Sequence, residues 1–204
     1  MKRLISTLTC LMGVTLIGCV QLAQPAPRIE WYRLEYSAPQ LSLAPLPVVL
    51  RIGTVAVAAA DDREPLVYRK DQFSGDVYHY HRWATAPGSL IHDVLVRDLA
   101  ASNSYRAVQA SMGLVPADYD VSVYVETLEE QPQAAGCSAV LAARVTVVRQ
   151  QTPKPASYTA EFPYRFEQPV ACNAPRELVA ALSQDLQHLS EALQRDLHRA
   201  LEQP

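Results

Sequence analysis

Along this chain, apolar and polar positions alternate in stretches that predict eight strands and two helices. Glu30-Trp31-Tyr32-Arg33-Leu34-Glu35-Tyr36 interleaves aromatic and aliphatic side chains with charges, the period of a strand with one buried face. After a proline-rich connection from Pro39 to Pro47, Val48 to Val57 is apolar with little alternation, which predicts a central strand. Leu66-Val67-Tyr68-Arg69 and Asp76 to Arg82 predict a hairpin turning at Phe73-Ser74-Gly75. A helix follows, with Pro87 near its start, Leu90, Ile91, Val94, Leu95 and Leu99 along one side, and Asn103 near its end. Short strands are expected at Arg106 to Ala110 and at Tyr119 to Glu130. Ser138 to Arg149 and Tyr158 to Phe166 complete the set, joined by a turn at Pro153-Lys154-Pro155. Pro175 then opens a closing helix, in which Leu178, Leu182, Leu186, Leu189, Leu193, Leu197 and Leu201 recur three or four residues apart. Such a stripe fits a coiled-coil seam or one helical face buried on a sheet, and burial on a sheet is the simpler reading. Strands and helices do not alternate regularly. The expected fold is therefore α+β, a single domain whose antiparallel-rich sheet carries two helices packed on one face.

The first residues follow a different rule. Met1-Lys2-Arg3 places two positive charges ahead of an apolar stretch from Leu4 to Ile17, about the length of a signal-peptide core and too short to span a bilayer. The stretch closes on Leu16-Ile17-Gly18-Cys19, which reads as a lipobox: small residues suit the processing protease, and sulfur is the atom that receives a diacylglycerol. The competing cysteine, Cys10, follows Thr9 and lies mid-stretch. Residues 1–18 are thus expected to be a signal, residues 19–27 a lipidated N-terminus and tether, and residues 28–204 the folded domain. Val20 stands where inner-membrane lipoproteins of Gram-negative bacteria usually carry Asp; by that resemblance the anchor lies in the outer membrane, facing the periplasm, with the inner membrane second.

Discounting Lys2 and Arg3 leaves sixteen basic against twenty-one acidic residues, a net charge of −5 over 186 residues. That balance argues against nucleic acid and supplies no polybasic patch for lipid headgroups. Beyond the lipobox only Cys137 and Cys172 remain, and in an oxidising compartment a disulfide is the default. A hairpin centred near residue 154 would place them opposite each other; two free or metal-bound thiols are the competing reading.

Catalytic signatures are missing from the sequence. It contains no Gly-x-Ser-x-Gly elbow, glycine-rich phosphate loop, His-Glu-x-x-His or Cys-x-x-Cys pair. The expectation is a non-enzymatic protein without cofactor or metal. One metal-like feature is present, Tyr78-His79-Tyr80-His81. On a regular strand His79 and His81 share a face about 6.5–7 Å apart, and Asp76 or His92 could supply a third ligand. Two histidines falling on a half-exposed strand face is the plainer reading.

The segment from Leu66 to Ser102 carries a family resemblance. Leu66-Val67-Tyr68-Arg69, then Arg82-Trp83-Ala84 with Pro87 close behind, then a helix ending Asp98-Leu99-Ala100-Ala101-Ser102, resembles the ABC-type transport auxiliary lipoproteins. Trp31-Tyr32-Arg33-Leu34 and Arg51-Ile52-Gly53 are similar to that family's first two strands. The resemblance implies a non-enzymatic subunit of an envelope transporter moving phospholipids or other apolar molecules. Its partners would be an MCE-domain protein and, through it, an ABC permease and ATPase; a homo-oligomer would match an MCE ring. Tyr68, Arg69, Arg82 and Trp83 become the distinctive site residues, as partner contacts or, for Trp83 above all, as packing beneath the first helix. Two alternatives stand beside this reading: a stand-alone outer-membrane assembly or chaperone lipoprotein, and a periplasmic hydrolase with a spatially assembled site.

Overall fold

The computed structural model describes residues 27–110, 115–150 and 157–202, apart from the side chains of Tyr158 and Thr159. Cys19, the signal segment, most of the tether and the turn at Pro153-Lys154-Pro155 lie outside the described residues.

The elements run β1 (Glu30–Tyr32), β2 (Leu46–Val57), β3 (Pro65–Arg69), β4 (Gly75–Trp83), α1 (Pro87–Ala101), β5 (Tyr105–Gln109), β6 (Tyr119–Gln133), β7 (Gly136–Arg149), β8 (Ser157–Val170) and α2 (Pro175–Glu202). All eight strands join one sheet around β6. One side of β6 pairs with β7 and then β8; the other pairs with β2 along its first half and with β3 at Glu130. β5 extends the sheet beyond β2, and β4 and then β1 extend it beyond β3.

The expected antiparallel-rich sheet is corrected here. Four of the seven strand pairings among the described residues are parallel: β1 with β4, β2 with β5, β2 with β6, and β3 with β6. The antiparallel ones, β3–β4, β6–β7 and β7–β8, join strands that are consecutive in the chain. Sequence exposes such neighbours through their turns. Parallel partners are separated by whole elements, as β2 is from β5 by the β3–β4 hairpin and α1, and leave no local signature.

Both helices bury their apolar stripes in one cluster with the sheet, α1 over β2 and β5, and α2 over β7 and β8. Every leucine of the closing stripe from Leu178 to Leu201 is buried, so the stripe is a core face. Its far end is tied by His198, whose Nε2 lies 2.8 Å from the Ala44 carbonyl. Among the described residues no helix is long and apolar enough to cross a membrane.

Two departures from regularity shape the sheet. A β-bulge between Val125 and Thr127 of β6 inserts one residue against β7. It switches the buried face from odd positions, Val121, Val123 and Val125, to even ones, Leu128 and Glu130. Beyond it, the Leu128 N–H is met by the buried Asp61, whose Oδ2 accepts it at 2.9 Å. The second departure lies at Gly88, in the first turn of α1, where a Cβ would stand 2.5 Å from the Val55 carbonyl oxygen. Alanine normally stabilises a helix over glycine by about 1 kcal/mol. Here Gly88→Ala is expected to destabilise by about 2 kcal/mol or more, because backbone must move to admit it; a denaturation midpoint equal to or above wild type would contradict this.

Candidate functional site

The Val67-Tyr68-Arg69 segment forms the joint where β3 meets β6. A single register pair, Tyr68 with Glu130, links these strands, so side chains supply the rest. Arg69 forms an ion pair with Glu129, whose side chain is buried on the outer face of β6. On the helix side, the Tyr78 hydroxyl donates to Glu130 Oε2 at 2.8 Å, and the Tyr68 ring lies 4.8 Å from the Tyr78 ring. Burial, then the hydrogen bond to Glu130, pushes the Tyr78 phenol well above its ordinary range, so it remains a donor. Arg69 and Tyr78 therefore hold two adjacent buried carboxylates, with the Tyr68 ring packed beside Tyr78.

Arg82-Trp83-Ala84 makes a second joint. Trp83 is 1% exposed and belongs to the core. Its N–H donates to the Glu64 carbonyl at 2.7 Å, and the Ala84 N–H donates to the Tyr32 carbonyl at 2.8 Å. Arg82 reaches the Glu64 carboxylate at 3.4 Å on the surface. Together these contacts hold β1, the entry to β3 and the approach to α1. Arg82 is the member of this motif that remains available to a partner.

The histidine pair does not form the geometry expected on a regular strand. Between Val67 and Pro65 β3 advances two residues, while β4 advances five, from Val77 to Arg82. This bulge breaks the even spacing of His79 and His81. His79 is exposed. His81 turns toward β1, with Nδ1 3.1 Å from the Tyr32 hydroxyl and 3.6 Å from Glu30 Oε2. Asp76 is held by Lys70 Nζ at 2.7 Å, and His92 sits on α1 beside the Ala110 carbonyl at 3.2 Å. The structure does not bring these four together.

Cys137 and Cys172 are joined by a disulfide with Cα atoms 5.1 Å apart. The hairpin register differs slightly from the expected one: Cys137 faces Val170, and Cys172 lies two residues beyond the end of β8. β8 runs four residues further than its pattern implied, through Pro169. It is an edge strand, where a missing N–H need not break a ladder. Glu130 lies beside the bridge, and among the described residues Glu130, Cys137 and Cys172 are the one group of three ligand-type residues within sharing distance of an ion. The two sulfurs are bonded to each other, which leaves this group without thiolates to offer.

Between β1 and the start of α2 runs an open groove of about 490 Å³, lined by Trp31, Tyr32, Arg33, Arg176 and Ser183, with Glu30 at its edge. Burial, aided by the hydrogen bond to Glu30, pushes the Tyr32 phenol up to about 12. Ser183, at the groove wall, donates to the Val179 carbonyl at 2.8 Å and accepts the Glu35 N–H at 3.2 Å. With its hydroxyl committed to backbone and no imidazole bonded to it, this serine is not arranged as an activated nucleophile. The groove offers aromatic, cationic and carboxylate contacts.

Buried acids are the feature that sequence reading missed. Asp61, Asp98, Glu129, Glu130 and Asp185 are all buried. Asp98 accepts from the Tyr36 hydroxyl at 2.7 Å and pairs with Arg97 at 2.8 Å. Asp185 is served on one oxygen, by Gln168 Nε2 at 2.7 Å, and its Oδ2 has no partner in the structure. Burial raises its carboxyl above the ordinary 3.8, against the opposing pull of Gln168. A raised folded-state pKa means that protonation stabilises the fold: that stability is present below the ordinary value and is lost as pH rises through the folded one. Asp185→Asn is therefore expected to gain about 1 kcal/mol at neutral pH, with the gain shrinking in mild acid. Denaturant midpoints at the two pH values check this, and a uniform gain would contradict it.

The chain is thus an α+β domain with two clamped joints and an open groove between β1 and α2. A family model described as ABC-type transport auxiliary lipoprotein component matches residues 32–194, and the chain belongs to that family. A crystal structure of a Xanthomonas campestris protein assigned to DUF330 is similar at a TM-score of 0.76 and 17% identity, covering 85% of this chain and 97% of its own. An uncharacterised protein of known structure is similar at 0.64 and 17% identity, covering 83% and 99%. A hypothetical protein from Chlamydia trachomatis gives 0.53 and 10% identity, covering 76% and 98%. At these identities the likeness is one of fold. No curated protein matches significantly.

Proposed function

We propose that this chain is a non-enzymatic auxiliary subunit of an ABC/MCE-type transporter, anchored through Cys19 in the outer membrane and facing the periplasm. The observation that carries the reading is the family match over residues 32–194, which takes in both clamped joints and most of the groove. The family's role is auxiliary, and the chain's chemistry is consistent with that: the groove serine is held by backbone and the motif residues hold strands. Energy for transport would come from the ATPase of a partner complex. Moving an acyl chain across an aqueous gap exposes about 0.8 kcal/mol per methylene, so a conduit formed by an MCE-domain protein must meet its membrane closely. A lipid anchor with a tether of about 25–30 Å at full extension would hold the docking domain at that junction. Phospholipids or other apolar molecules are the substrates such a conduit would carry.

Co-purification of the full-length tagged lipoprotein with an MCE-domain protein in mild detergent tests the proposal directly. Arg176→Glu, in the groove, is expected to weaken that capture while leaving the denaturation midpoint within about 0.5 kcal/mol of wild type, as befits an exposed position. Repeated recovery of the lipoprotein without any MCE-domain protein, or with an outer-membrane β-barrel instead, would overturn it.

A further inference from the structure

We infer that the exposed β1–β4 edge of the sheet, presenting Ile29, Trp31 and Tyr80, rests in the headgroup layer of the membrane to which the chain is anchored. The inference deepens the proposed function and rests on lipid attachment at Cys19.

Six large hydrophobic residues are exposed among the described ones: Ile29, Trp31, Phe73, Tyr80, Val115 and Tyr124. Phe73 stands at the tip of the β3–β4 hairpin, Val115 in the loop before β6 and Tyr124 midway along β6, and single exposed side chains of that kind are ordinary. The other three converge. β1 pairs with β4 in parallel, Glu30 opposite His81, Trp31 opposite Arg82 and Tyr32 opposite Trp83. Strand alternation sends Tyr32 and Trp83 to the core, where Trp83 is buried and Tyr32 is partly buried. The same alternation sends Trp31 to the opposite face of β1, with Ile29 just ahead of the strand, and Tyr80 immediately precedes His81, the β4 partner of Glu30. Trp31 is 55% exposed, Tyr80 48% and Ile29 43%.

The length of chain outside the structure identifies the occupant. Ten residues separate Cys19 from Ile29 and twelve separate it from Trp31. Even fully extended, these reach about 35–40 Å, comparable to the thickness of the bilayer itself, and any less extended path brings the patch nearer. β1 is thus the element of the fold tied closest to the lipid. Tryptophan and tyrosine favour the membrane–water interface, where the ring is half-buried and its polar edge remains hydrated. The flanking Arg28 and Arg33 are exposed and carry the charge that suits lipid phosphates. Ile29 supplies the apolar element that enters deepest.

Two tryptophans of contrasting exposure make the test direct. The lipidated full-length protein is reconstituted on vesicles of phosphatidylethanolamine and phosphatidylglycerol, with and without brominated acyl chains. Flotation reads anchoring. The difference between wild-type and Trp31→Phe emission reads Trp31, because buried Trp83 is common to both. On vesicles the Trp31 component is expected to shift to shorter wavelength and to be quenched by brominated chains; Trp31→Phe should float equally and show no quenching. A protein that floats while its Trp31 component keeps the spectrum of the unlipidated Cys19→Ala chain would overturn the inference and leave anchoring intact. A shift that follows protein concentration without quenching would overturn it in favour of a second copy. Failure to float would overturn anchoring and the inference together.

Discussion

Replacing Trp83 by alanine is expected to destabilise the protein by about 3–5 kcal/mol, a large share of the roughly 5–15 kcal/mol that holds a domain folded. Trp83 heads the largest fully buried side chains and lies where three elements converge. Its backbone pairs with Tyr32 of β1 and donates to Glu64 before β3, and α1 begins four residues later. A cavity there would remove dispersion contacts from both layers at once, and a strand of only three residues offers little means of collapsing into it. Trp83→Phe retains most of the volume and should cost clearly less. Guanidinium denaturation monitored by circular dichroism gives both values. A loss under about 1 kcal/mol for the alanine variant would mean that the side chain is not part of the core. Because Trp83 is buried, Trp83→Phe should also leave partner capture unchanged, whereas a binding residue would not.

The second large effect concerns the bridge. Removing it in the Cys137→Ala/Cys172→Ala variant is expected to cost about 3–4 kcal/mol, the chain-entropy value for a loop of this span, the cysteines being 35 residues apart. The midpoint of thermal unfolding should fall on the order of 10 °C. Cys137 lies on the long β6–β7–β8 ribbon and Cys172 in the short turn before α2, so the bridge ties the last strand's exit to the helix that covers the sheet. The same turn is held by the Ala171 N–H donating to Glu177 at 3.2 Å and by the Asn173 N–H donating to Glu130 at 3.4 Å. Losing the bridge should therefore loosen the start of α2 first, visible as faster amide exchange at Leu178 and Val179. Equal midpoints for the oxidised and bridge-free proteins would contradict this account.

Much of the element order was legible because each signal is local. Proline punctuation located the starts of α1 and α2, and the leucine stripe gave the length and buried face of α2. The β3–β4 turn at Phe73-Ser74-Gly75 identified its hairpin. Regularity itself was the weak assumption. A strict two-residue period put His79 and His81 on one face, but β4 bulges because it must follow β3 on one side and β1 on the other. The period also runs out in β6, where the extra residue after Val125 turns Glu130 inward. A carboxylate in that position reads as surface in sequence; the half-buried Tyr78 that satisfies it comes from another strand.

For the candidate site, the motif residues were visible as a pattern but not in their roles. Tyr68 and Arg69 belong together in sequence, yet their partners Glu129 and Glu130 are sixty residues away, and only the parallel contact of β3 with β6 joins them.

What the sequence by itself determined is therefore what nearest neighbours impose: two helices, eight strands, the β3–β4 and β7–β8 hairpins and the charge balance. These rest on hydrophobic periodicity and turn chemistry, which act over a few residues. What only the tertiary structure decided is the predominance of parallel pairings, the pairing of buried acids with their donors, and the gathering of Ile29, Trp31 and Tyr80 beside the tether. Each depends on which distant strands share a ladder, and that choice is made by the common burial of two helices on one sheet.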